Sequence, residues 1–137
     1  MKQILCFGDS NTYGLIPGTK DRYDWDTRWS GRIGQRLWED GCRIVEEGLC
    51  GRTTVFDDPL RDGRRGTELL SVILETHKPV DVVVLMLVTN DCKTMYDTSA
   101  EVIGRGVERL LDQIGSSAPD SKILLICLLY TSDAADE

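Results

Sequence analysis

Apolar residues recur along this chain in two alternating rhythms. Short, nearly continuous runs occupy Gln3 to Phe7, Cys42 to Glu46, Asp81 to Val88 and Lys122 to Leu129. Gly8-Asp9-Ser10, Glu47-Gly48 and Thr89-Asn90-Asp91 close the first three, so each reads as a buried strand ending in a turn. The Val82-Val83-Val84-Leu85-Met86-Leu87-Val88 stretch is the strongest signal, because an unbroken β-branched run implies a strand covered on both faces. Between the runs the spacing becomes helical. Trp29, Ile33, Leu37 and Trp38 fall on one side of residues 28–40, which Gly41 stops, and Leu69, Leu70, Ile73 and Leu74 on one side of 67–77, with Pro79 beyond. A third helix is expected over 99–114, and loops over 11–26 and 49–65.

Strands alternating with helices imply right-handed βαβ units and a parallel sheet, so the fold class is α/β. The last residues depart from that scheme. A polar loop and another helix should follow the fourth strand, yet Tyr130 to Glu137 is a small acidic stretch, and CLLYTSDAADE resembles translated sequencing-adapter sequence. The expectation is one incomplete domain over 1–126, with about four strands and three main helices and without its last strand and helix, followed by a non-native tail over 127–137. A frayed C-terminus is the alternative.

Composition narrows the partners. The chain has 137 residues and a net charge of −7, which suits one domain and lacks the basic footprint that nucleic acid or an anionic membrane requires. Five Cys without a C-x-x-C pair and a single His give no zinc set. The odd Cys count and the lack of a leader or long apolar span lead us to expect free thiols and a soluble, cytoplasmic protein, without metal or cofactor.

In a doubly wound sheet, ligands bind beyond the carboxyl ends of the strands. Three candidate groups fall there. Ser10, in Gly8-Asp9-Ser10-Asn11-Thr12, would present a hydroxyl and turn N–H groups at the sheet edge, or simply cap a helical turn. Gly51, in Leu49-Cys50-Gly51-Arg52-Thr53-Thr54, could offer a bare N–H to an oxyanion, or only meet a turn's need for positive φ. Asn90, after the third strand, could supply a fixed amide donor, or belong with Asp91 to a turn or cap. Taken singly, none of the three decides.

Their order and kind match a known family. GDSNTYG, EEGLCGRTT and LVTNDCK resemble the first three sequence blocks of the SGNH (GDSL) hydrolases, and the likeness runs from Lys2 to about Ile126. ILCFGDS, EEGL, RTT and DDP are similar to the bacterial arylesterase/acyltransferase branch. The resemblance implies a flavodoxin-like three-layer α/β/α sandwich and a serine esterase acting on small acyl or aryl esters through an acyl-enzyme, with acyltransferase activity when full length. It also implies Ser10 as nucleophile, with the Ser10 and Gly51 N–H groups and the Asn90 side chain as oxyanion hole. The branch includes homo-oligomers. Asp9, Asn11, Tyr13 and Trp25 are candidates to line the substrate pocket, as is Trp29, which equally suits the core.

Two departures stand out. Val88 occupies a position where the family usually has Gly, and a β-branched residue resists positive φ. The Asp-x-x-His block that supplies the base has no counterpart. His77, before the third strand, should lie ~20 Å from Ser10, since a strand of about seven residues rises ~3.3 Å for each, and a base must come within about 3 Å. This chain by itself is therefore expected to be inactive. Two other classes remain in view: a non-enzymatic α/β domain binding an anion or sugar, and a phosphoryl-transfer protein using Asp9 with Mg²⁺. Cys50 and Cys92 flank the candidate site, but no His adjoins them to activate a thiolate, so both read as small hydrophobes. Arg28 and Arg52 read as structural or solvated pairs.

Overall fold

The computed structural model describes residues 1–128. Four strands form one parallel sheet: β1 (Lys2–Gly8), β2 (Cys42–Gly48), β3 (Val82–Met86) and β4 (Lys122–Ile126), in the order β2-β1-β3-β4. The helices are α1 (Ser10–Tyr13), α2 (Trp29–Leu37), α3 (Gly66–Thr76) and α4 (Ala100–Ser117). The strand order reverses between β1 and β3, which opens the crevice such sheets use for ligands.

Side chains alternate across the sheet with period two. Leu5, Phe7, Val83 and Leu85 point to one face and meet Leu70 and Leu74 of α3 and Leu110 and Ile114 of α4 in the main core. The opposite face carries Cys6, Val84 and Met86, and α2 lies over Ile44 there. The result is helix, sheet, helix: the three-layer α/β arrangement. Only Ser30, Gly31 and Gly34 of α2 are buried, so this helix seats on β2 through its small residues and leaves Ile33 and Trp38 outward.

Two expectations shift. The segment after β1 begins with a full turn of helix instead of loop, because the Asp9 side chain accepts from the Asn11 N–H and stabilises the turn. β3 stops at Met86, two residues before its apolar run ends, since Val88 adopts φ 100° and turns the chain away. Two short 3-10 turns follow, Thr89–Cys92 and Thr94–Tyr96. β4 is an edge strand on which Ile123, Leu124 and Leu125 remain 41–52% exposed. Leu129, expected at the end of that strand, and most of the tail, 129–137, lie outside the described residues.

Candidate active site

Register brings the candidate residues together. Gly8 pairs with Gly48 on one side and with Met86 on the other. Ser10, Cys50 and Val88 each stand two residues past those rungs, on strands spaced ~4.8 Å apart. Side-chain bonds then lock the three turns. The buried Asn90 amide donates to the Arg52 carbonyl at 3.0 Å, which fixes it beside Gly51. The Arg52 guanidinium donates to the carbonyls of Gly8 and Glu47 and lies 4.0 Å over the Phe7 ring. Asp91, fully buried, accepts from the Thr54 N–H and hydroxyl. The ends of β1, β2 and β3 are thus cross-bonded into one rim.

At that rim Ser10 opens α1, but Asp9, not Ser10, provides the cap. The Ser10 hydroxyl is therefore not consumed by capping. Among the described residues, the N–H groups of Ser10 and Gly51 donate to no protein acceptor, and the first N–H groups of any helix lack an internal partner. Gly51 has φ 80°, a conformation that favours glycine. One of the two Asn90 amide hydrogens holds Arg52, and the second is left to donate elsewhere.

Burial tunes the charges. Asp91 is pushed up to about 6, chiefly by desolvation that its Thr54 bonds only partly offset. Asp9 is raised for the same first reason, against its Asn11 bonds. Arg52 is pulled down to about 10 by burial. Cys50 and Cys92 are both raised, first by burial, which disfavours the thiolate either would need as a nucleophile.

The proposed pocket residues separate. Asn11 donates its side chain to Asp9, and Asp9 is only 2% exposed, so its carboxylate serves the turn. Tyr13 lies beneath Arg22, whose guanidinium carbon is 4.2 Å from the ring centroid. Trp25 packs its indole against Gly34, near Ile44, four residues before the end of β2 and so ~13 Å down the strand from the rim. It lines a groove on α2 with Trp38 and Arg43, away from Ser10. His77 caps the end of α3; its carbonyl accepts from Gln3 at the start of β1, and its Nε2 sits 3.1 Å from Glu47. Arg28 pairs with Glu46 at 3.2 Å.

The sequence reading missed two parts of the site. Arg52, expected as a structural or solvated pair, is 3% exposed and ties the turns together through backbone carbonyls. Its signal was its place between Gly51 and two buried threonines. The second is the bond from Asp91 to Thr54, which spans 37 positions and leaves no local pattern. Among the described residues no group of three or more His, Cys, Asp or Glu is arranged to hold a metal, and no helix is long and apolar enough to cross a membrane.

The model of the GDSL-like lipase/acylhydrolase family matches residues 6–137. A carbohydrate acetylesterase from Sinorhizobium meliloti is 38% identical, with a TM-score of 0.84 over 91% of this chain and 63% of that one. An aryl esterase from M. smegmatis gives the same identity, TM-score and coverages. A lipase/acylhydrolase from Enterococcus faecalis, 22% identical with a TM-score of 0.67 over 97% of this chain and 60% of its own, shares the fold. The chain thus spans about 63% of the length of the first two structures. A search of curated proteins gives no match.

Proposed function

Because the chain belongs to the GDSL-like lipase/acylhydrolase family, we propose that it carries the nucleophile and oxyanion hole of a serine esterase for small acyl or aryl esters. Ser10 Oγ attacks the ester carbonyl. The resulting oxyanion accepts from the Ser10 and Gly51 N–H groups and from Asn90 Nδ2, and each such donor is worth roughly 3 kcal/mol at the transition state. Collapse breaks the C–O bond, expels the alcohol and leaves the acyl group on Ser10. Water then attacks the acyl carbon to release the acid, or a second alcohol takes the acyl group in transfer.

The observation that carries this reading is the cross-bonded rim: Asn90 holds Arg52, Arg52 holds Gly8, and the Ser10 and Gly51 N–H groups between them have no acceptor among the described residues. What the chain does not supply is the base for the Ser10 proton. Its one His is held by Gln3 and Glu47. Loss of a triad member leaves only the modest acceleration from binding and the oxyanion hole, so the 137-residue chain turns over esters at a negligible rate.

The test is covalent. Incubation with ethyl p-nitrophenyl butylphosphonate should slowly place one adduct on the peptide containing Ser10, with none in Ser10→Ala. Adducts elsewhere, or equal labelling of both proteins, would refute the assignment.

A further inference from the structure

Arg61 has no part in the rim described so far, yet its guanidinium lies directly over Gly51. Nη2 stands 2.0 Å from where a Cβ on Gly51 would be, so it lies within about 5 Å of the Gly51 N–H by backbone dimensions. The side chain is anchored at one end only. Nε sits 3.2 Å from Asp58, whose own side chain is 5% exposed and further fixed by the Leu60 N–H. Among the described residues the two Nη groups have no acceptor, and the Arg61 side chain remains 39% exposed. A second guanidinium backs the loop, because Arg64 Nε donates to the Cys50 carbonyl. Although the chain as a whole carries a charge of −7, two guanidiniums meet at this loop, and among the described residues that of Arg61 keeps its Nη donors without an acceptor.

We infer that Arg61 is a specificity residue that selects esters carrying a carboxylate a few bonds from the reacting carbonyl. An arginine held through Nε presents its Nη donors in a fixed plane, the geometry that grips a carboxylate bidentately. With the carbonyl oxygen held at Gly51, a carboxylate on a short arm reaches the fork without displacing Asp58. The inference rests on the reading of Ser10 and Gly51 as nucleophile and oxyanion donor, and it adds to that reading a substrate class: monoesters of short dicarboxylic acids, or esters of carboxylated alcohols and phenols.

The experiment uses the 137-residue chain and three p-nitrophenyl phosphonates: a neutral butyl probe, one with a carboxylate at the end of the alkyl arm, and one with a carboxylate on the aryl ring. In each reaction the Ser10 Oγ–P bond forms, the P–O bond to the aryl group breaks, the nitrophenolate leaves and the serine proton passes to solvent. Rates come from nitrophenolate release, and the site from the mass of the Ser10 peptide. At least one anionic probe should label about tenfold faster than the neutral one. Arg61→Gln should bring that ratio to about one, and Arg61→Lys should keep only part of it. Equal rates for all three probes on a labelled Ser10, or a preference that survives Arg61→Gln, would overturn the inference while leaving the nucleophile in place. Absence of Ser10 labelling by every probe would overturn the nucleophile reading and this inference with it.

Discussion

Replacing Asp91 by Asn separates the electrostatic cost of the rim from its hydrogen bonds. Asp91 is fully buried, and its carboxylate accepts from the N–H and hydroxyl of Thr54. An Asn oxygen accepts from the same backbone N–H, so the turn geometry survives while the buried charge is removed. In the folded protein the carboxyl is raised from 3.8 to about 6. Below about pH 3 it is protonated in both states, and its folded-state burial costs nothing extra. As the pH rises through 6 it must ionise in a desolvated site, which the unfolded chain does not require. Stability from this group is therefore fully present at low pH and lost between about pH 4 and 6. At about 1.4 kcal/mol for each pH unit, the loss by pH 7 is about 3 kcal/mol, as an order of magnitude. The assay is urea unfolding of wild type and Asp91→Asn at steps from pH 4 to 7, taken as the difference between the two so that other titrating groups cancel. Wild type should lose about 3 kcal/mol relative to Asp91→Asn as the pH rises. A flat difference, or one of opposite sign, would refute the claim that a desolvated carboxylate clamps β2 to β3.

Two further changes probe the same frame. Val88 holds φ 100°, and a non-glycine residue there stores about 1–3 kcal/mol of backbone strain. Val88→Gly should therefore leave stability in urea unchanged or raise it by up to about 1 kcal/mol, after the entropic cost of glycine and the lost side chain; a loss of 2 kcal/mol or more would mean that no strain is stored. On β4, Leu124 is 52% exposed at the edge of the described sheet, and such edges recruit other chains. Leu124→Lys should lower the concentration-dependent light scattering of the chain, and an unchanged scattering profile would locate any association elsewhere.

The sheet was legible because its strands are marked by apolar runs, and the rim because Gly-Asp-Ser, Cys-Gly-Arg and Thr-Asn-Asp fall at or just beyond the ends of three of them. Boundaries were less so. Leu87 and Val88 continue the apolar pattern of β3 but not its pairing, since periodicity reports which side chains are buried and not where the backbone turns. Trp25 reads as a pocket residue by its place in the loop after Ser10, yet the absence of a side chain on Gly34 gives its indole a seat on α2 instead. The tying roles of Arg52 and Asp91 escaped for a shared reason: the bonds from Arg52 to Gly8 and from Thr54 to Asp91 span 44 and 37 positions, and a charged residue in a loop looks solvated until the fold closes over it.

The central claim is that Ser10, Gly51 and Asn90 surround one reacting atom. A crystal structure of the butylphosphonate adduct measures this directly. The account predicts phosphorus bonded to Ser10 Oγ, with one phosphoryl oxygen about 3 Å from the Ser10 and Gly51 nitrogens and from Asn90 Nδ2. An adduct whose phosphoryl oxygen faces solvent, with Gly51 and Asn90 out of reach, would contradict it.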